Sequence, residues 1–424
     1  VSHSSVSLEE RKRAEDAFSQ GSDCVIVATS TLELGIDVGD LDWVIQIDAP
    51  GSVASFLQRI GRTGRRPGTS RNCLFLTTDD DGFLRAAGIL DLWSRGYVEP
   101  IVAPPKPYHL FAQQIMALAL QTGGLGRQDW KRWIGDVPCF ADMRAETEEI
   151  IQHMLDHGML AEDQGKLWFG HEGQQTFGYK NFLELYSIFT SPPLFTVLHG
   201  RADLGLVHES SFAGHDKQGE TILLLGGRSW SVKSIDWSKR VAYVQPAPTG
   251  GRSRWCGSSR AVHFDHARAI RRILATGNLP AIASKRAIDA LRGLKTDFSW
   301  IDEESTALVR KGGTTNWWTF AGLRANAMLM VLLGDLVDAP SAPDNLSLQM
   351  KSQVDSQVVQ RALDGVRADS SSIPVSEKAL KELKFIECLP TALANRMLSE
   401  RAADALGLIG TMNVPCRDVT IAST

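Results

Sequence analysis

Three arginines recur at a spacing of three in QRIGRTGRR, residues 58–66: Arg59, Arg62 and Arg65. A guanidinium is planar, stays charged and binds pairs of oxygens through a fork of donors. That suits phosphoryl transfer, where negative charge spreads over equatorial oxygens and an inserted arginine is worth on the order of 10³–10⁵ in rate. A helical segment from Ser55 to Ile60, stopped by Gly61, is expected to place Arg62 and Arg65 on one face. Upstream lies VATSTLELGID, residues 27–37. It puts Thr29 and Ser30 at the carboxyl end of an apolar run, where α/β sheets hold ligands. Gly35 permits close backbone approach to a phosphate, and Asp37 can accept from a ribose hydroxyl. The two stretches, with an apolar strand between them, read together as a nucleotide-handling surface.

A second candidate surface is basic and aromatic. Between residues 228 and 272 stand Arg228, Lys233, Lys239, Arg240, Arg252, Arg254, Arg260, Arg268, Arg271 and Arg272, opposed only by Asp236 and Asp265. Cations neutralise phosphates, and indoles stack on unpaired bases for about 1–3 kcal/mol each. Trp230 and Trp237 lie on alternating strands and are expected in a core. Trp255, in the glycine-rich GGRSRWCG with Arg252 and Arg254, is expected at nucleic acid. Trp317 and Trp318 must point to opposite faces of a strand; one is core, and the other reaches a neighbouring domain or DNA. His153 and His157 stand four apart, a metal-binding spacing, but nothing acidic supplies a third ligand. They read as an amphipathic surface helix, and HFDH at 263–266 is no more metal-like beside its arginines. IDEES at 301–305 has no apolar strand before it and reads as a helix start.

These residues need elements to hold them. Ser7 and Glu10 form an S-x-x-E capping box for a helix over 7–21. CVIVA (24–28), WVIQI (43–47) and NCLFL (72–76) read as buried strands, and their alternation with helices predicts a parallel sheet over 1–100. The proline-rich IVAPPKP at 101–107 marks a boundary. An apolar helix, two shorter ones and the hairpin GMLAEDQGKLWFG follow, a winged-helix pattern. Its mixed charge makes it a brace for its neighbours rather than a reader of bases. LFTVLHG, ETILLLGG, SWSVKSID and RVAYVQPA then alternate at period two, as in a small barrel or sandwich. Residues 262–310 read as helical, 314–334 as a strand leading into a helix, and 353–411 as helix-rich.

The chain has 424 residues, 43% hydrophobic and 22% charged, with a formal net charge of −4. That is ordinary for a globular chain of several domains, and a polyanion partner would need a local basic surface. The six cysteines are scattered without a CxxC, which argues against a disulfide framework or a zinc knuckle. The longest apolar run, AMLMVLLG, is too short to span a bilayer, so no membrane partner is expected.

VATSTLELGIDVGD and QRIGRTGRR resemble motifs V and VI of superfamily 2 helicases, and SHSSVSLEERKRAEDAF resembles the segment before motif V. Downstream, YSIFTSPPLFTVLHG, ILLLGGRSWSVKSIDW, YVQPAPTGGRSRWCG and NWWTFAGLRANA resemble the bacterial large helicase-related family, Lhr. The resemblance runs from residue 2 to about 330, and more loosely to the end. It implies a multidomain α/β plus α+β chain: a partial second RecA-like domain over 1–100, a winged helix over 101–178, and a β-barrel-containing domain with helical extensions over 179–424. It implies an ATP-dependent translocase moving 3′ to 5′ on single-stranded DNA and opening DNA or RNA:DNA duplexes. ATP and Mg2+ would be held mainly by a first RecA-like domain. The resemblance turns Thr29 and Ser30 to the nucleic-acid backbone, and Gly35 and Asp37 to nucleotide. Gln58, Arg62 and Arg65 would reach for the phosphates, with Arg62 or Arg65 as the finger. Arg59 would support motif V or the nucleic-acid side.

No GxxxxGK[ST], DExH box or motif III occurs in these residues. The expectation is therefore a C-terminal part of a longer bacterial cytoplasmic, nucleoid-associated helicase, inactive as an ATPase alone. Two alternatives stand beside it. One is a non-enzymatic nucleic-acid-binding module working with a separate ATPase subunit, and the other is an RNA helicase of the same superfamily.

Overall fold

A computed structural model of the chain describes residues 6–20, 23–29, 41–188, 194–212, 221–248, 261–338, 343–364 and 373–422. The chain forms two compact units: 1–99 with 191–262 and 279–288, and 100–190 with 263–278 and 289–424. No described helix is long and apolar enough to cross a membrane.

The first unit opens with helix α1, Leu8–Gln20. Ser7 caps it, its Oγ accepting from the Glu10 amide at 3.3 Å. Strand β1 is Val44–Ile47, helix α2 Val53–Ile60, strand β2 Cys73–Leu76 and helix α3 Asp80–Ser94. β1 and β2 pair in parallel, Val44 opposite Cys73 through Ile47 opposite Leu76. α2 buries Val53, Phe56 and Ile60. Its Phe56 ring lies 5.5 Å from Phe75 of β2 and 5.7 Å from Trp93 of α3. Helices thus cover one face of the pair.

Two expectations change here. β1 and β2 are not buried on both faces: Ile45, Ile47, Leu74 and Leu76 are exposed, because strand side chains alternate and the helices meet only one set. CVIVA does not form the expected buried strand either. Residues 24–27 are irregular, with Val25 90% and Val27 63% exposed. β-branched residues favour a strand only where neighbours supply packing.

The rest of the first unit is a five-stranded sheet of Leu194–His199, Ala202–His208, Ile222–Leu225, Arg228–Asp236 and Val241–Pro246. Val241–Pro246 lies between Leu194–His199, its parallel partner, and Arg228–Asp236, its antiparallel one; the other two strands form the edges. Gly226 and Gly227, at φ 61° and 75°, close the hairpin between Leu225 and Arg228. Two successive left-handed residues make a type I′ turn, which matches the strand twist. Phe195, Val197, Leu223, Leu225, Trp230, Ala242 and Val244 form the core. Ala202–His208 is a strand that sequence patterning missed.

In the second unit, helix Tyr108–Thr122 packs with Arg144–Asp156 and a small sheet of Leu125–Gly126, Lys166–Phe169 and Leu160–Asp163. The hairpin turns at Gln164 and Gly165, both left-handed. Residues far along the chain complete this core: Phe385, Cys388, Leu389, Leu393 and Met397 join Phe111, Ile115, Ile150 and Met154. A second core is built on four strands in the order Leu348–Met350, Thr314–Trp318, Thr306–Lys311, Cys416–Thr420, with helix Gly322–Leu333 packed on it.

IDEES is not a helix start. Residues 301–305 are irregular, and Asp302 Oδ1 accepts from the Glu304 amide at 2.9 Å and the Ser305 amide at 2.7 Å. The aspartate closes a turn that feeds strand Thr306–Lys311, so the stretch 262–310 is not helical throughout. Helices Phe264–Thr276 and Lys285–Asp297 do lie within it.

Glu146 ties the first core together. Its Oε1 accepts from Lys106 Nζ at 2.8 Å, Tyr108 Oη at 3.1 Å and Arg396 Nη2 at 2.6 Å. Burial alone would raise this carboxyl, but the Lys106 and Arg396 hydrogen bonds overturn that and hold it at about 2 against an ordinary 4.5. A depressed folded-state pKa contributes stability that is complete above about pH 4.5 and is lost as pH falls through about 2, for a total of roughly 3 kcal/mol. Denaturant midpoints of the parent and Glu146→Gln proteins should therefore differ most near neutral pH and converge between pH 4.5 and 2. A gap that does not depend on pH would contradict this assignment.

Candidate functional site

α2 and the turn after it position the arginines. Ser52 begins the helix, its side chain accepting from the Ser55 amide at 3.0 Å. Glu99 accepts from the Val53 amide at 2.7 Å and the Ala54 amide at 3.0 Å. With Val53, Phe56 and Ile60 turned inward, Gln58 is left exposed and Arg59 half-buried. Arg59 Nη1 donates to Oε1 of Gln46 in β1, and Gln46 Nε2 donates to the carbonyls of Ile47 at 2.9 Å and Asp48 at 2.8 Å. Arg59 thus fastens α2 to the carboxyl end of β1. Gln46 was missed by sequence reasoning; its one signal was a polar residue at an inward position of an apolar strand.

The turn itself is held at several points. Gly61 ends α2, its amide bonded to Leu57 O at 2.9 Å. The Arg62 carbonyl accepts from the Leu41 amide at 2.9 Å. Thr63 is buried, donating through Oγ1 to Ile60 O at 2.9 Å and accepting from the Asn72 amide at 3.0 Å. Gly64 sits at φ 66°, and a Cβ there would lie 2.7 Å from Arg71 N, so no other residue fits without moving backbone. Arg65 is exposed and folds back, Nε donating to Gly61 O at 2.9 Å. Arg62 is half-buried. Burial pushes the neighbouring Cys73 thiol up to about 11, against the opposing charge of Arg59. A glycine-shaped turn therefore carries one half-buried and one exposed arginine just after the helix that bears the exposed Gln58. That chemistry suits the oxygens of a phosphate chain.

Thr29 is exposed. Ser30, Gly35 and Asp37 lie outside the described residues, as do Arg252, Arg254 and Trp255. Of the expected basic surface, Arg228, Lys233, Lys239 and Arg240 are exposed on the five-stranded sheet. Arg268 and Arg271 do not belong to it. Arg271 is 3% exposed and donates to the carbonyls of Asp302 and Ser305, each at 2.8 Å. Arg268 stacks over Phe264 at 4.8 Å and donates to Gly410 O at 3.1 Å, and burial lowers it to about 10. Both sit on the inward side of an amphipathic helix, where a long side chain packs and bonds carbonyls.

The tryptophans divide. Trp230 is core, its Nε1 donating to Leu225 O at 3.1 Å. Trp237, also expected in the core, is 55% exposed; it follows the strand and lays its ring 5.1 Å from Phe195 and 6.1 Å from Phe212. Trp317 is fully buried, while Trp318 on the opposite face is half-buried among Phe298, Trp300 and Phe320. His153 and His157 stack with ring centroids 3.9 Å apart, and His153 Nε2 lies 3.3 Å from Glu387 O. His263 caps helix Phe264–Thr276, its Nδ1 accepting from the Asp265 amide at 3.3 Å, and His266 is buried. No cluster of three metal-ligating side chains occurs among the described residues.

The model of the helicase conserved C-terminal domain matches residues 1–67. The chain is 43% identical over 271 residues to the Lhr helicase/uracil glycosylase of Escherichia coli K12, covering 59% of this chain and 17% of that protein. It is 33% identical over 288 residues to the ATP-dependent helicase Lhr-Core of Methanothermobacter thermautotrophicus, covering 64% of this chain and 32% of that one. The chain thus spans less than a third of either relative's length. The structure of Mycobacterium smegmatis helicase Lhr bound to ssDNA and AMP-PNP superposes on 99% of this chain and 60% of its own, with a TM-score of 0.61 and 18% identity. That likeness shows a shared mixed α/β architecture.

Proposed function

The chain belongs to the Lhr family of superfamily 2 helicases, and on that premise we propose that it supplies the arginine wall of an ATP-dependent DNA helicase's nucleotide cleft. The observation behind this reading is the turn Gly61–Arg65, in which Arg62 and Arg65 flank a buried threonine and a glycine whose place no larger residue can take. Arg62 or Arg65 stabilises charge on the transferring phosphoryl group, and Gln58, Gly35 and Asp37 contact the nucleotide. Thr29 and Ser30 meet the nucleic-acid backbone, and Arg252, Arg254 and Trp255 add a second nucleic-acid contact.

Residues 1–100 are the corresponding part of a second RecA-like domain, 101–178 a winged helix, and 179–424 a barrel-containing domain with helical extensions. The P-loop and acid box, absent from these 424 residues, belong to a first RecA-like domain supplied by further polypeptide. The phosphate chain of ATP fits the donors of the arginine turn, whereas the described residues offer no carboxylate cluster for Mg2+. By the family resemblance, the cation is assigned mainly to that other domain. The intact protein moves 3′ to 5′ on single-stranded DNA in the bacterial cytoplasm, opening DNA or RNA:DNA duplexes of the nucleoid.

Binding of a fluorescent single strand across a salt series tests the nucleic-acid part. Affinity should fall with salt through counterion release. Arg252→Ala with Arg254→Ala should weaken binding and flatten the slope by about 1–2 units, one for each phosphate no longer neutralised. An unchanged affinity and slope would remove these arginines from the interface. RNA of equal sequence competing better than DNA would point to an RNA helicase instead.

A further inference from the structure

We infer that Glu99 is a positioning residue for the arginine helix, holding α2 in the register that turnover requires; this rests on the nucleotide reading of Arg62 and Arg65. α2 is only eight residues long, and its first turn has amides that no helical carbonyl can satisfy. Ser52 accepts one of them, from Ser55. Glu99 takes two more with its two oxygens, Val53 N at 2.7 Å and Ala54 N at 3.0 Å, although it lies more than forty residues further along the chain. A carboxylate at this end also meets the positive end of the helix dipole.

Bidentate contact fixes more than a cap does. Two oxygens on two successive amides resist both rotation about the helix axis and sliding along it. At the far end, the Arg59–Gln46 bond and the Thr63–Asn72 bond hold α2 and its turn against the strands. The arginines therefore project from a short helix clamped at both ends, and Glu99 is the clamp that comes from outside the local sequence. It is also the last residue of the first compact unit's opening segment, followed at once by Pro100 and by a stretch without helix or strand up to Pro107. Freed of Glu99, α2 would keep its Ser52 cap and its buried face but lose this restraint on where Arg62 and Arg65 point.

The test uses the protein expressed from its complete reading frame. ATP hydrolysis at saturating single-stranded DNA is measured for the parent, Glu99→Gln, Glu99→Asp and Ser52→Ala, with hydrogen exchange of the 53–56 amides followed in parallel. Glu99→Gln is close to isosteric but sets an amide donor against a backbone amide. It should lower kcat about tenfold, the order expected when reacting groups shift by a fraction of an ångström. Its KM for ATP should stay within about twofold, because the defect lies in alignment rather than in ground-state binding. Exchange should quicken at 53 and 54 but not in α3. Glu99→Asp keeps the charge but shortens the reach and should fall between, which keeps the test open if Glu99→Gln folds poorly. Ser52→Ala should destabilise α2 and leave kcat near the parent value.

An unchanged kcat in both Glu99 variants would overturn the inference, whatever the exchange shows. Equal loss of kcat in Ser52→Ala would do the same, by making any fraying of the helix start sufficient. Arg62→Ala and Arg65→Ala run alongside keep the two questions apart. If neither lowers hydrolysis, the nucleotide reading fails; if they do and the Glu99 variants do not, only the role of Glu99 fails.

Discussion

Arg62→Ala combined with Arg65→Ala lowers ATP hydrolysis by the protein expressed from its complete reading frame by on the order of 10³, the expected cost of removing an arginine finger. The single variants then assign the finger, because one of them should fall nearly as far as the pair. Lysine should not rescue that position. An ammonium keeps the charge but lacks the planar fork that meets two oxygens at once. The loss should appear in kcat, since the charge that the guanidinium meets develops in the transition state. Single-strand affinity measured without nucleotide should not change. Steady-state hydrolysis over a range of ATP concentrations, with DNA saturating, reads both parameters. Thr63 and Gly64 hold the turn through contacts that these substitutions leave in place, while the Arg65 Nε bond to the Gly61 carbonyl is lost, so circular dichroism of the variants checks that the fold is kept.

Trp317→Ala is the second large expectation, and it concerns stability. Trp317 is 1% exposed in the core around helix Gly322–Leu333. Its Nε1 donates to Thr306 Oγ1 at 3.0 Å, joining two neighbouring strands. Truncation leaves a cavity the size of an indole and removes a donor from a buried hydroxyl, so the second unit should lose about 3–5 kcal/mol. That is a large share of a typical domain's stability of roughly 5–15 kcal/mol. Trp317→Phe retains much of the volume and should cost distinctly less. Denaturant unfolding followed by circular dichroism checks both, and a loss below about 1 kcal/mol for alanine would contradict the packing described.

What the sequence revealed was mostly local. The arginine turn was legible because glycines flank the arginines and the helix before it has a clear apolar face. The hairpin at Gln164–Gly165 was legible for a similar reason, since its turn chemistry lies within the turn itself. Features that depend on distant residues were not. Glu99 and Gln46 have no motif; each acts by reaching an element placed beside it only by the fold. Strand Cys416–Thr420 pairs in parallel with Thr306–Lys311, more than a hundred residues earlier, and nothing in its own short sequence announces that partner. The reverse error has the same origin. CVIVA has the composition of a buried strand, yet Val25 and Val27 are exposed. Arg268 and Arg271 look like a basic surface in one dimension, and helical geometry turns them inward onto carbonyls.

If this chain is one wall of a nucleotide cleft, rich in arginine and lacking a phosphate-cradling loop, it cannot turn over ATP by itself. Hydrolysis by the purified 424-residue chain, with saturating single-stranded DNA and Mg2+, is the decisive measurement. The expected result is no hydrolysis above background from the chain alone, and DNA-stimulated hydrolysis from the protein expressed from its complete reading frame. Turnover by the isolated chain comparable to that of the complete protein would contradict the assignment.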